Sequence, residues 1–354
     1  MPLPRWEHTT TLLSIIIFHN AIIINWIIFP IKRRIYISLS TLLEVMNTLN
    51  STEWSVLIAV TQGKTDMTAL ALATDRSLNR MSVITAGLEE KGFLARRRVG
   101  MSYRVALAEK GFMDYLRQIV LDGLPIDRYL IDSRVIVLAT IADAGWSLSA
   151  PDLEWLSGLS KSSVSMAIHD ALRYGILRKE GRKYRWGGRM EPLRSFLKEY
   201  ARFDNGRTAS RVEQSSSVTW QLGPDFIIGT SRKLSSDAVQ PTGVTAFALN
   251  GLQILSPKHY YHMTGSPRLL RPEDYAIDNI LLAPRNVTHL TYSLVYLKKN
   301  GRRTDWPYLD RLCRIYGLGS LGSEIAQYLK RGRGSLGGFP KDDEFREKLE
   351  LYGD

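Results

Sequence analysis

Cysteine is almost absent: Cys313 is the single one among 354 residues. One thiol builds no intramolecular disulfide framework, so the fold must rest on its apolar core, as suits a reducing cytoplasm. Phosphate-cradling and dinucleotide glycine loops are also missing. Nucleotidyl transfer needs a Gly-Ser turn followed by paired carboxylates to hold magnesium, but Gly229-Thr230-Ser231 is followed by Asp237 alone. His259 and His262 are three apart, which on a strand puts them on opposite faces, and His169 has no second ligand near it. These absences argue against an enzyme and against any metal or organic cofactor. Acids are in deficit too: 35 Asp and Glu face 47 Lys and Arg, a net charge of +12. That balance points to a polyanionic partner, most often nucleic acid. With 44% hydrophobic and 23% charged residues the chain is neither disordered nor fibrous, and its length suits two or three domains.

One long apolar run is present, Leu12–Ile31, followed by Lys32-Arg33-Arg34. Its length and basic flank meet the minimum for a membrane span with its basic end in the cytoplasm. Against this, His19, Asn20 and Asn25 fall within it, Pro30 ends it, and no small-residue cleavage site follows. Three readings of residues 1–45 stand. The preferred one takes Met46 as the true start; the others are an N-terminal anchor tethering a cytoplasmic domain, and a buried or dimerising helix.

Beyond Met46 one pattern occurs twice. A helix over Thr52–Val60 precedes a second at Asp66–Thr74 and a third at Ser77–Lys91, whose Leu78, Met81, Ile84 and Leu88 form an inward stripe. Phe93–Arg98 and Tyr103–Leu107 then read as a basic hairpin, and Glu109–Val120 as a closing helix. The second copy runs from a helix capped at Asp132 or Ser133, through helices opened by Ser149 and Ser160, to a hairpin at Ile176–Trp186. Val164, Ile168 and Leu172 are its inward stripe, and Tyr184 and Trp186 anchor the hairpin to the core. The turn glycines Gly92 and Gly175 lie 83 residues apart (175 − 92), the mark of a tandem duplication. This is the order of a winged helix-turn-helix, in which the second helix of the motif enters the DNA major groove and the hairpin straddles the backbone.

The residues expected to contact DNA follow from that order. In the first module they are Asn79, Arg80, Ser82 and Thr85 on the groove helix, and Arg96, Arg97, Arg98 and Arg104 on the hairpin. In the second they are Lys161, Ser162, Ser163 and Ser165, with Arg178, Lys179, Arg182, Lys183 and Arg185. Seven Lys or Arg lie between Arg173 and Arg189 against one acid, Glu180. Short hydroxyls let the backbone approach phosphate, whereas Asn and Arg read adenine and guanine by paired hydrogen bonds. The second module is therefore expected to supply backbone affinity and the first to supply base readout. Glu89 and Glu90, at the end of the first module's groove helix, are expected to repel phosphate.

Pro192–Phe203 reads as a connecting helix and Asp204–Ser217 as a polar linker. A third region follows, 218–354, with strands expected at Val218–Leu222, Asp225–Gly229, His259–Met263, Ile280–Leu282 and Val287–Val295. Helices are expected at Thr242–Leu249, Tyr308–Ile315, Ser323–Leu329 and Asp342–Leu351, and Lys330-Arg331-Gly332-Arg333-Gly334 as a basic turn. The fold class is thus mainly α with small β wings, two winged helix-turn-helix modules at 46–122 and 131–203, then an α+β C-terminal domain.

Ser77–Glu90, Lys91-Gly92-Phe93-Leu94, Arg96-Arg97-Arg98 and Leu107-Ala108-Glu109-Lys110-Gly111 resemble the DNA-binding core of the multiple-antibiotic-resistance-type winged-helix regulators. The resemblance implies a double-stranded-DNA-binding regulator; two modules in one chain then supply the two half-sites. Pro241–Leu252 and His259-Tyr260-Tyr261-His262-Met263 resemble the C-terminal part of the abortive-infection (AbiEi-type) antitoxin and regulator family. That second resemblance implies an autoregulator whose C-terminal domain binds a toxin-like partner protein.

Overall fold

The computed structural model describes residues 12–18, 21–28, 31–38, 46–188, 190–235, 239–331 and 338–352. The chain divides into two compact units, Met1–Val45 and Met46–Asp354. In the first, β1 (Leu12–Phe18), β2 (Ala21–Ile28) and β3 (Ile31–Ser38) form an antiparallel sheet in that order. The apolar run, for which a helical membrane span is one of the alternative readings, is extended along its described length, as suits a run of β-branched isoleucines. His19, Asn20 and Pro30 lie outside the described residues. Among the described residues no helix is long and apolar enough to cross a membrane.

The second unit begins with α1 (Ser51–Thr61), opened by a capping box between Asn50 and Glu53. Then come α2 (Met67–Thr74), capped by Asp66, and α3 (Leu78–Glu90), capped by Ser77. The antiparallel hairpin of β4 (Leu94–Val99) and β5 (Ser102–Leu107) leads to α4 (Gly111–Leu121) and the short α5 (Ile126–Tyr129). The order then restarts. It runs through α6 (Arg134–Asp143), β6 (Leu148–Ser149), α7 (Ala150–Ser157) and α8 (Lys161–Arg173) to β7 (Leu177–Glu180) and β8 (Lys183–Trp186).

The restart keeps register residue by residue. α2 and α7 begin 83 apart (150 − 67), as do α3 and α8 (161 − 78) and β4 and β7 (177 − 94). Met81, Ile84, Thr85 and Leu88, the buried residues of α3, answer to Val164, Ala167, Ile168 and Ala171 of α8 at the same offset. So do the left-handed residues between the paired helices, Asp75 and Gly158, and those after them, Gly92 and Gly175. The hairpins differ: the second is two residues shorter on each strand and is joined by β6 into a three-stranded sheet.

α9 (Glu191–Val212) follows, and it overturns the expected linker: 204–212 continues the helix begun at Glu191. Its buried stripe runs Leu193, Phe196, Leu197, Tyr200, Ala201, Asp204, Asn205 and Ala209. The polar members are satisfied inside the fold. Asp204 accepts from the backbone and side-chain amides of Asn47 at 3.0 and 2.6 Å, and Asn205 donates to the Gly223 carbonyl at 2.8 Å. The helix packs on both α4 and α6, with Phe196, Tyr200 and Phe203 of α9 around Phe112 of α4.

The C-terminal part holds β9 (Ser217–Leu222), β10 (Asp225–Thr230), β11 (Gln240–Pro241), α10 (Gly243–Leu249) and β12 (His259–Met263). These strands form one antiparallel sheet in the order β11-β12-β10-β9. Helices complete it: α11 (Pro272–Leu282), α12 (Val287–Lys299), α13 (Trp306–Ile315), α14 (Leu321–Arg331) and α15 (Asp342–Tyr352). Two expected strands are thus helical. Ile280–Leu282 ends α11, and Val287–Val295 lies in α12, where the Asn286 side chain caps the backbone amides of Thr288 and His289. The fold is mixed α and β, with small antiparallel sheets between helices; a main core runs from Met46 to Tyr328, and a smaller one gathers Ala209, Phe226, Ile228, Val239 and Tyr261.

Candidate functional site

Burial of one stripe on α3 and on α8 turns the opposite faces to solvent. On α3, Asn79, Arg80, Ser82 and Val83 are exposed; on α8, Lys161, Ser162, Ser165, Met166, His169 and Arg173 are, while Ser163 is half-buried. Ser162 and Ser163 are each 2.9 Å from the Ser160 hydroxyl that caps the helix. Two expectations fail here. Thr85 is fully buried; its hydroxyl donates to the Met81 carbonyl at 3.0 Å, and it fills the position that Ile168 fills in the second copy. Leu78, expected inward, is 52% exposed because it sits at the first turn, before the stripe closes.

The hairpins split their basic residues by strand alternation. In the first, Leu94–Leu107 and Arg96–Val105 are cross-strand pairs on the core side, whereas Arg97 lies opposite Arg104 on the outer side. Arg96 is half-buried. Its Nε lies 2.6 Å from a Glu89 carboxylate oxygen, and its guanidinium covers the Tyr103 ring at 5.2 Å. Glu89 is therefore paired with Arg96. Burial works against ionisation of Glu89, but the Arg96 hydrogen bonds outweigh it and hold the carboxyl below its usual range. Arg98 stays exposed, with Nε 3.3 Å from the Gly100 carbonyl.

The second hairpin repeats the scheme. Leu177 and Trp186 face the core and Arg178 lies opposite Arg185 on the outer side. Arg185 is tied to Glu180, which also accepts from Ser147 at 2.7 Å. Lys179, Arg182 and Lys183 are exposed, and Arg189 lies outside the described residues. Like charges directly across a strand pair repel; in the second hairpin Glu180 lies beside both Arg178, at 3.9 Å, and Arg185. The side chains brought together are thus Asn79, Arg80, Ser82, Arg97, Arg98 and Arg104 in the first copy. In the second they are Lys161, Ser162, Ser165, Arg178, Lys179, Arg182 and Lys183.

A second cluster lies in the C-terminal part, and only His262 of it drew notice in the sequence. His262 Nδ1 is 2.7 Å from Asp278, and Nε2 is 3.3 Å from Asp225 without hydrogen-bond alignment. Asp278 accepts from Thr242 at 2.5 Å, and Asp225 from Tyr316 at 2.7 Å. Arg268 bridges Asp274 at 2.7 Å and Asp225 at 3.4 Å while lying 4.0 Å over the Trp155 ring. Burial disfavours the charged imidazole, but Asp278 and Asp225 outweigh it and push its pKa up to about 10. Burial likewise opposes ionisation of Asp225, and the charges of His262 and Arg268 hold it down to about 2. Sealed from solvent, these groups join β10, β12, α11 and the end of α13 to Trp155 of the second copy.

No protein-family model matches the chain, and none of the curated proteins matches it. The reading therefore rests on geometry. Sequence reasoning missed Val83 and Met166, which occupy the same place on α3 and α8 and are 62% and 52% exposed. The 83-residue offset would have singled them out. It also missed two arginines of α9 inside the supposed linker, Arg207 and Arg211.

Proposed function

We propose that this chain is a non-enzymatic, double-stranded-DNA-binding regulator of transcription working in the cytoplasm. Its two repeated units are winged helix-turn-helix modules, and it acts on its own promoter. The observation that carries the reading is the residue-for-residue repeat, in which both copies expose a polar helix face beside a basic hairpin. Two such faces in one chain suit two half-sites, and paired outer arginines suit the phosphates flanking a groove. Fluorescence anisotropy with the protein's own upstream region tests it. Affinity should fall steeply with salt; no binding to any duplex at low salt sinks the reading.

A second reading has its own support. Leu72, Leu78 and Val83 are 86%, 52% and 62% exposed on α2 and α3, an apolar surface of the kind that docks proteins. On this reading the repeats dock a partner protein, and the C-terminal part binds a toxin-like one. Arg97→Glu with Arg104→Glu separates the two, since it should abolish duplex binding and leave a protein complex intact.

A further inference from the structure

A groove of about 530 Å³ runs between the C-terminal half of α9 and the start of β9, a volume in the range of small-ligand sites. Arg202, Gly206, Arg207, Ser210, Arg211 and Ser216 line it, with no acid among the described residues of its lining. On α9 these form two rows spaced by four residues, Arg202-Gly206-Ser210 and Phe203-Arg207-Arg211. Arg202 keeps a pair with Glu199 at 3.0 Å, but both are largely in water, where such a pair is worth little.

Two further observations mark the groove as a site. Arg207 Nη1 and Ser216 Oγ are buried polar atoms with no hydrogen-bond partner among the described residues, and an unsatisfied buried donor is costly. Gly206 sits inside a 22-residue helix, where glycine weakens the helix relative to alanine. Packing does not demand it, since a β-carbon there would meet no atom within 4 Å. What glycine provides is an open floor on which a ligand can reach the backbone.

We infer that this groove binds a phosphate-bearing anion. Guanidinium forks and serine hydroxyls are the groups that hold phosphate oxygens in paired hydrogen bonds. The site also touches α3. Arg207 donates to the Glu90 carbonyl at the helix end, and its guanidinium lies 5.6 Å over Phe203, which packs on Gly92. An occupant that draws Arg207 to itself therefore acts on the end of α3.

Calorimetric titration of sodium pyrophosphate into the full chain, at constant ionic strength, tests the inference. Saturable one-to-one binding is expected, weakened about tenfold by Arg202→Ala. Gly206→Ala separates binding from folding: it should raise Tm, because alanine favours helix, while weakening pyrophosphate roughly fivefold. A Gly206→Ala protein that binds as wild type overturns the assignment of the floor. A random-sequence duplex distinguishes the source of the phosphate. Duplex affinity lowered by Arg202→Ala assigns the groove to nucleic-acid backbone, and pyrophosphate binding with duplex affinity unchanged assigns it to a free phosphorylated ligand. Pyrophosphate that never saturates, with duplex affinity equal in wild type and both variants, overturns the proposal.

Discussion

At the scale of single residues, the duplication makes each copy a control for the other. Asp75 and Gly158 close the same turn in left-handed conformations, with φ of 52° and 67°. A side chain is strained there and glycine is not. Asp75→Gly should therefore stabilise the fold by about 0.5–1 kcal/mol in urea denaturation, the strain relief exceeding the added chain entropy. An unchanged or lower midpoint would count against the repeat as a physical equivalence. Thr85 makes the companion case. Thr85→Val should leave duplex affinity and sequence preference unchanged, since its hydroxyl is spent on the Met81 carbonyl. Asn79→Ala, on the exposed face, should relax preference at one base by about 1–3 kcal/mol, read by competition among single-base variants of the site.

The buried charges of the C-terminal part make a pH prediction. His262 has a folded-state pKa raised to about 10, so its stabilisation is complete below its unfolded value near 6.5. It is lost as pH rises through about 10. Asp225 is depressed to about 2, so its share is present above about 3.8 and is lost as pH falls through about 2. Between those flanks the network is intact. The stability of the wild type against denaturant should fall by a few kcal/mol (~3–5) from pH 6 to pH 10 through this histidine. His262→Gln should be less stable at pH 6 and show a flatter slope above it. An unchanged slope would place the histidine's titration elsewhere.

At the scale of elements, the turn glycines divide by what packs on them. Gly92 has φ +81° and a β-carbon there would lie 2.7 Å from the Phe203 ring, while Gly175 has φ +68° and open space around it. Gly175→Ala should cost about 1 kcal/mol, the backbone strain alone. Gly92→Ala should cost about 2–4 kcal/mol, strain plus overpacking, and Phe203→Ala should partly rescue it. The hairpins divide in the same way. Arg96→Ala removes a surface pair worth under about 1 kcal/mol and should shift stability more than salt dependence. Arg97→Ala and Arg104→Ala should weaken every duplex and flatten the salt slope by about one each. Arg182→Ala and Lys183→Ala should do the same in the second copy. If they do not exceed the first copy in effect, the second module does not dominate backbone affinity.

The helices and hairpins of both copies were legible in the sequence because their caps, stripes and turn glycines all agree. α9 was not, because Asp204 and Asn205 continue its buried stripe with polar side chains that look solvated until Asn47 and Gly223 are seen opposite them. Val287–Val295 read as a strand because it is rich in aromatic and β-branched residues. As a helix buried almost all round over 291–297, it has no apolar face for periodicity to find. Thr85 was legible as polar but not as buried, since a threonine bonded to its own helix satisfies itself without any signal at a distance.

For the whole molecule, the seam between the second copy and the C-terminal part decides how the chain unfolds. Asp143 accepts from Gln221 and from the Gly223 amide at 3.0 and 3.1 Å, and a β-carbon at Gly223 would collide with Thr140. Trp146 donates to the Ile315 carbonyl at 3.0 Å and packs on Gly317. Trp155 lies under Arg268 and edge-on to Tyr316. On the other side, α9 fills the first copy with Phe196, Tyr200 and Phe203. The main core runs through both copies and the C-terminal part, and a smaller cluster of Phe226, Ile228, Val239 and Tyr261 on the C-terminal sheet closes on Ala209 of α9. Met46–Asp354 should therefore melt in one cooperative step, with the helical far-UV signal and tryptophan fluorescence coinciding. Trp155→Ala should cost about 2–4 kcal/mol and lower that whole transition together, including the signal of the distant α1 to α4. Two resolved transitions, of which Trp155→Ala moves only one, would mean that the modules are separate domains in contact and not one folding unit.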